Sequence, residues 1–293
     1  MNFGTVAILG PGLIGGSLAL ALAERGLAKR IVIYARSAQA LDAIRLAGVD
    51  AELTGNPSEA VREADVVILC VPIEAMAALV KECRDALKPG ALVTDVGSVK
   101  GSVDAALAPL LAGQALWIGS HPMAGSEQSG FVAARADLFE NAAVIVTPTQ
   151  QTAPKAQARA EEFWRALGSR VFVLSPAEHD TAIAGISHMP HLIAMELVNM
   201  VKREHLVLAG GGFRDTTRIA SGSPDLWAEI LWANRHALKV QLDDWIKSLQ
   251  DLKNLFELDG PSDKQGLREI LLMAQTTRAE LSEKKTSTSS SRP

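Results

Sequence analysis

The segment Gly10-Pro11-Gly12-Leu13-Ile14-Gly15 restricts this chain more than any other. It follows the apolar run 6–9 and leads into residues 17–24, which are rich in alanine and leucine. Three glycines so spaced between a strand and a helix have separate uses. Gly10 permits a tight turn, Gly12 lets the backbone approach a ligand, and Gly15 lets strand and helix pack closely. The helix opening at Leu13 and Ile14 directs its unbonded N–H groups at whatever lies over the turn, which favours an anion such as a pyrophosphate.

The next 150 residues repeat the pattern. Runs rich in valine and isoleucine recur at 30–34, 65–71, 91–96, 116–119, 142–148 and 170–174, with helical stretches such as 74–87 between them. Strands alternating with helices imply a mostly parallel sheet covered on both faces. After Pro176 the strand signal stops, and the chain reads as helix to its end, apart from a loop at 209–224. The expected architecture is α/β. A Rossmann-type, doubly wound domain occupies 1–175 and an all-helical domain 176–293, whose Ser/Thr-rich tail at 284–293 is expected to be disordered.

Leu238, Leu242, Trp245, Leu249, Leu252 and Phe256 follow alternating steps of four and three, a heptad seam. Such a seam suits either a core-facing stripe within one chain or a helical dimer interface. Few elements remain to cover so long a helix, which favours a homodimer.

Composition excludes several classes. Twenty-nine Lys and Arg against 33 Asp and Glu leave a net charge of −4, without the basic excess that a nucleic-acid surface needs. Two cysteines, Cys70 and Cys83, cannot build a disulfide framework or an all-thiolate metal site. The start Met1-Asn2-Phe3-Gly4 lacks a basic leader, and Glu74 interrupts the longest apolar stretch, 66–80. A cytoplasmic protein with no membrane or nucleic-acid partner and no metal is expected.

About 20 residues beyond a glycine turn of this kind, an NAD-binding fold usually offers a carboxylate to the ribose 2′-hydroxyl. Here Tyr34-Ala35-Arg36-Ser37 occupies that place. Arg36 can pair with a 2′-phosphate and Ser37 can donate to it, or Arg36 is an ordinary solvated arginine. The missing acid favours NADP over NAD. Val71 and Pro72, closing the run 65–71, join the cofactor-binding candidates.

Polar residues gather at the ends of other apolar runs, where open α/β sheets bind ligands. These are Asp95-Val96-Gly97-Ser98-Val99-Lys100 and Gly119-Ser120-His121-Pro122-Met123-Ala124-Gly125. In the helical half, Ser187-His188-Met189-Pro190-His191 breaks an apolar stretch, and Phe213-Arg214-Asp215-Thr216-Thr217-Arg218 follows a glycine run.

Taken in order, from G-P-G-L-I-G-G-S at 10–17 to S-P-D-L-W at 223–227, these segments resemble the prephenate dehydrogenase family, including arogenate and cyclohexadienyl dehydrogenases. The departure is Ala35, where many members carry aspartate. The resemblance implies oxidative decarboxylation of prephenate to 4-hydroxyphenylpyruvate, or of arogenate to tyrosine, in tyrosine biosynthesis, with hydride transfer to NADP or NAD. Aromatisation drives loss of carbon dioxide, so the protein need supply only a base, a cation for carboxylate, and orientation.

His121 is the candidate base, since neutral imidazole accepts a proton near neutral pH. Ser98 would hold the same hydroxyl. Arg218 is the candidate carboxylate clamp, with Arg214 competing, because a guanidinium fork matches a carboxylate. His188 and His191, three apart, share a helix face, and Pro190 between them is expected to kink the helix. They suit a core pair or, with a third ligand, zinc; the resemblance places them around the substrate. It also adds Ser187, Asp215, a pocket wall at Trp227 and a gate at Glu127, for which core tryptophan and solvated carboxylate are the competing readings.

Two other classes remain. Another two-domain NADP oxidoreductase, of β-hydroxyacid dehydrogenase or imine reductase type, would need a catalytic lysine or acid in the helical half, and Lys202 has no motif around it. A non-catalytic dinucleotide sensor would have lost the set His121, Ser98 and Arg218, all present here.

Overall fold

The run Thr5–Leu9 (β1) is apolar on both faces and is buried along its whole length, the condition of a central parallel strand. It is flanked by Arg30–Tyr34 (β2) and Val66–Leu69 (β4). Glu52–Thr54 (β3), Leu92–Asp95 (β5) and Leu116–Trp117 (β6) complete a six-stranded parallel sheet in the order β3-β2-β1-β4-β5-β6. This is the doubly wound order, with its switch point between β1 and β4. The computed structural model describes every residue except 126, 127, 129, 257–260 and 287–293, together with the side chains of 261–263 and 282–286.

Helices Leu13–Glu24 (α1), Ala38–Leu46 (α2), Pro57–Val61 (α3), Ile73–Cys83 (α4) and Gly101–Leu111 (α5) connect these strands. Two apolar clusters result, one with Leu18, Leu22, Phe163 and Trp164 and the other with Leu79, Val80, Leu107 and Leu111. They bury opposite side-chain sets of β1: Val6 and Ile8 in the first, Ala7 and Leu9 in the second. Such alternation is the period-two consequence of a sheet covered on both sides.

The run 116–119, expected as one strand, is two. After β6 the chain leaves the parallel sheet at Ile118 and enters Gly119–Pro122 (β7), which pairs antiparallel with Ala143–Thr147 (β8). Arg170–Val173 (β9), reached through Pro154–Ala166 (α6), pairs parallel with β8 and completes a separate three-stranded sheet. Gly119 makes the crossing possible, because a Cβ there would stand 2.6 Å from Thr147 Oγ1. Nor was β3 expected; its short Glu-Leu-Thr run carries little apolar signal.

Beyond β9 the chain is helical. Pro176–Ile183 (α7) starts at a capping box in which Ser175 and Glu178 satisfy each other's backbone N–H. A π-turn, Ala184–His188, then leads into Met189–Met200 (α8), with Pro190 in its first turn. Proline has no N–H for the preceding turn, and a widened turn absorbs the loss. The expected loop at 209–224 is instead largely helical: Gly211–Thr217 (α9), a 3-10 turn at Arg218–Ser221, then Pro224–Ala233 (α10), capped by Ser223. The three glycines 210–212 suggested a loop, but they only cap and open α9.

The chain divides into compact units Met1–Leu238 and Lys239–Pro293. The second holds most of Arg235–Leu255 (α11) and all of Pro261–Thr286 (α12). In it Leu249, Ile246, Leu271 and Met273 are exposed. Residues 284–286 continue α12, and 287–293, the rest of the tail expected to be disordered, lie outside the described residues. Among the described residues no helix is long and apolar enough to cross a membrane.

Candidate active site

The glycine turn has the geometry the motif requires. Gly10 has φ 111°, and a Cβ on it would lie 2.5 Å from the Cys70 carbonyl oxygen. A Cβ on Gly15 would lie 2.0 Å from the Gly10 carbonyl oxygen, while one on Gly12 would meet nothing within 4 Å. Gly10 and Gly15 are thus required by packing, and Gly12 keeps the approach to the start of α1 open.

That approach is part of a cavity of about 580 Å³ lined by Gly10, Gly12, Tyr34, Arg36, Ser37, Val71 and Pro72, among others. Six of the cofactor-binding candidates therefore share one wall. Gly15, Leu13 and Ile14 are not on it: Gly15 is buried, and the two side chains pack against the apolar cluster behind α1. Arg36 is exposed at the mouth. The Ser37 oxygen caps α2 by accepting from Ala40 N–H at 3.0 Å, and its own proton remains a donor. The only tyrosine of the sequence, Tyr34, closes the cavity from the end of β2. A partly apolar cavity over an open helix N-terminus fits a dinucleotide.

At the end of β5 and along β7 lies a buried polar network. Lys100 Nζ pairs with Asp95 and donates to the Ser120 carbonyl oxygen at 2.8 Å, and both side chains are within 1% of complete burial. Asp95 also accepts from the N–H groups of Gly97 (2.8 Å) and Ser120 (3.1 Å). Burial pulls the Lys100 ammonium down from its ordinary value, and the Asp95 charge opposes this. Half-buried Ser98 sits in the loop between these two anchored residues.

His121 lies within β7 rather than beyond a strand end, opposite Ile145 in register. Its Nδ1 is 2.8 Å from His179 Nε2, and His179 Nδ1 is 2.8 Å from Asp180 Oδ1. Asp180 further accepts from Lys100 N–H at 2.7 Å and Gly101 N–H at 2.8 Å. Burial holds His121 well below the usual histidine range, and the neighbouring His179, Lys100 and His188 push the same way. Burial alone would raise Asp180, but the hydrogen bonds from His179, Lys100 and Gly101 outweigh it and hold the carboxyl low.

The Asp180 carbonyl oxygen accepts from Asn234 Nδ2 at 2.9 Å, and the same amide lies 3.0 Å from His188 Nδ1. An amide nitrogen only donates, so His188 accepts at Nδ1 and carries its proton on Nε2. Burial brings the His188 pKa down to about 4, which keeps it neutral. His188 and His191 do meet at one place, the Trp227 indole, through ring contacts of 6.4 Å edge-on and 3.3 Å stacked. Among the described residues, His188 Nε2 and His191 Nδ1 are buried without a hydrogen-bond partner, as is Trp164 Nε1 in the core. A buried polar atom left so is costly unless something completes it.

The Ile219 carbonyl faces His191, which brings the turn headed by Arg218 to this end of the site. Arg218, Arg214 and Asp215 are exposed, and Ser187 is half-buried in the π-turn. Glu127 lies outside the described residues. Among the described residues no group of three or more His, Cys, Asp and Glu is placed to hold a metal ion. Sequence reasoning missed His179, Asp180 and Asn234. The adjacent pair His179-Asp180 was visible, but only the fold shows that it reaches His121.

Both halves of the chain match known proteins. Residues 18–173 match the prephenate dehydrogenase nucleotide-binding domain, and 175–273 match the prephenate dehydrogenase dimerization domain. The chain is 37% identical over 258 residues to a cyclohexadienyl dehydrogenase of Zymomonas mobilis, covering 86% of this chain and 88% of that one. It is also 37% identical over 265 residues to a Bacillus subtilis prephenate dehydrogenase, covering 86% and 70%. Among solved structures it is similar to Aquifex aeolicus prephenate dehydrogenase in complex with hydroxyphenyl propionate and NAD+, with TM-score 0.86, 32% identity and coverage of 96% and 98%. Synechocystis arogenate dehydrogenase gives TM-score 0.77 at 31% identity, covering 95% and 99%. With its doubly wound sheet, its glycine turn and both halves matched in order, the chain belongs to the prephenate dehydrogenase family.

Proposed function

We propose that this chain oxidatively decarboxylates prephenate, arogenate or both, to 4-hydroxyphenylpyruvate and tyrosine respectively, using NADP in preference to NAD. One observation carries the reading: buried His121 stands on a hydrogen-bonded route to His188, whose partnerless Nε2–H and neighbour Trp227 offer a polar and an aromatic wall.

A nicotinamide dinucleotide over Gly10 and Gly12 supplies the hydride acceptor when bound. The chain's own residues do the rest. His121 takes the proton of the substrate C4 hydroxyl, which Ser98 holds in register. Arg218 clamps a carboxylate, and His188, His191, Ser187 and Asp215 complete the substrate set beside Trp227. Arg36 and Ser37 meet the 2′-phosphate. The cofactor half spans 1–175 and the substrate and dimerisation half 176–293. The exposed apolar side chains of α11 and α12 favour a homodimer, since a soluble monomer rarely leaves so much apolar surface uncovered. The cytoplasm, where both substrates would be met, is the proposed location.

The test is a matrix of prephenate or arogenate against NADP or NAD, following reduced cofactor and the aromatic product. Turnover of at least one substrate, faster with NADP, is expected. Absence of turnover with both substrates overturns the reaction. Equal kcat/KM for the two cofactors overturns the NADP preference.

A further inference from the structure

We infer that His179 and Asp180 are positioning residues that fix the tautomer of His121, leaving its Nε2 unprotonated and able to accept the substrate proton. The inference deepens the proposed reaction and rests on it for its kinetic consequence, though not for its structural one.

The argument follows one proton at a time. The Asp180 carboxylate is already committed as an acceptor to the N–H groups of Lys100 and Gly101, so it faces His179 Nδ1 as an acceptor too. His179 Nδ1 must then carry a proton. The ring is buried beside Lys100, and burial, the larger effect, keeps it neutral against the pull of Asp180. A neutral ring protonated at Nδ1 has a lone pair at Nε2. That lone pair lies 2.8 Å from His121 Nδ1, a separation that demands a proton between them. His121 Nδ1 supplies it, and in the neutral His121 ring this leaves the lone pair on Nε2.

Proton transfer needs no rearrangement of this chain of bonds. The substrate hydroxyl proton moves to His121 Nε2, and the imidazolium keeps donating from Nδ1 to His179 Nε2. Asp180 remains ionised and stabilises the new charge through His179, as an aspartate behind a catalytic histidine does in hydrolytic triads.

Asp180 has a second hold on the site. Its two oxygens take the N–H groups of Lys100 and Gly101, directly after the loop bearing Ser98. A Cβ at Gly101 would stand 2.9 Å from Asp180 Oδ2, so this approach is close as well as bonded. One carboxylate thus orients the base and anchors the backbone that directly follows the Ser98 loop.

The direct test is the tautomer itself, read by long-range 15N–1H correlation on protein labelled at histidine nitrogens, with His121 assigned through His121→Asn. The wild type is expected to show the Nδ1–H form of His121, and Asp180→Leu, which offers His179 Nδ1 no acceptor, a large share of the Nε2–H form. The same form in both proteins, or Nε2–H in the wild type, overturns the inference. This readout needs no substrate, so it stands even if the enzyme turns over neither prephenate nor arogenate.

On whichever of prephenate and arogenate is turned over, Asp180→Leu and His179→Leu are expected to lower kcat by about 10²–10⁴-fold with KM changed by less than about threefold. His179→Gln, whose carbonyl can still accept from His121 Nδ1, is expected to stay within about tenfold of wild type. This rescue also covers the case in which Asp180→Leu fails to fold. If His179→Leu and His179→Gln have equal kcat, or if both retain wild-type kcat, the positioning role is refuted.

Discussion

The His191 ring lies stacked on the Trp227 indole, centroids 3.3 Å apart and planes 25° from parallel. The contact joins α8 to α10, and Gly222 tightens it, since a Cβ there would stand 2.5 Å from the indole Nε1. Trp227→Ala removes the stack and the pocket wall proposed for it. Such pairs are worth about 0.5–1.5 kcal/mol beyond burial, so KM for the substrate should rise by about threefold to tenfold, with kcat falling less. Unchanged KM in steady-state assays would place Trp227 outside the pocket.

His121→Asn keeps the shape of the side chain and a polar contact to His179 but removes the proposed base. Cofactor affinity should stay within about twofold while kcat falls by about 10²–10⁴-fold. Wild-type kcat in this variant would remove His121 from the chemistry.

The pH dependence follows from burial. The active form of His121 is neutral, and its pKa lies well below 6.5, so kcat/KM should hold through the usual histidine range and fall only at more acid pH. Folding shows the matching sign. His121 and His188 are depressed in the native protein, so the unfolded chain binds more protons below pH 6.5. Stability is full above that pH and is lost as the pH falls towards about 4, the value for His188. Denaturant midpoints should decline across this window, and His188→Gln should shallow the decline. A flat profile would show these histidines to be protonated in the native state.

Arg218→Lys preserves charge but loses the planar fork, so KM should rise more than kcat falls. A hydrogen bond to a charged group is worth about 1.5–3 kcal/mol, which corresponds to about 10–150-fold if one is lost. Unaltered KM would transfer the clamp to Arg214, one helical turn earlier.

Arg36→Ala tests the cofactor choice by the same energy scale. KM for NADP should rise by about 10–100-fold and KM for NAD by less than about twofold. Equal effects on both would make Arg36 a general wall of the cavity rather than a reader of the 2′-phosphate.

The cofactor half was legible because its signals are local. A strand, three glycines and a helix fall within 20 residues, and β1, β2, β4 and β5 alternate with helices as a parallel sheet requires. Trp227 and the two histidines came from a motif, yet their meeting depends on α8 and α10, whose contact no periodicity reveals. His179, Asp180 and Asn234 were hidden for a related reason. His179 and Asp180 are ordinary polar residues of α7 and Asn234 lies between α10 and α11, and their roles come from partners 46 to 80 positions away. The sheet change at Ile118 was obscured because β6 is only two residues long. At 209–224, glycine composition outweighed the helical turns that follow it.

The bonds from Lys100 and Gly101 to Asp180 span 80 and 79 positions and cross residue 175, where the strand-bearing part of the chain gives way to helices. Recombination at that point would keep every strand and helix intact yet pair the Ser98 loop with a carboxylate from another lineage. A swapped half therefore keeps the anchor of the Ser98 loop only where the incoming helical part carries a carboxylate at the place of Asp180.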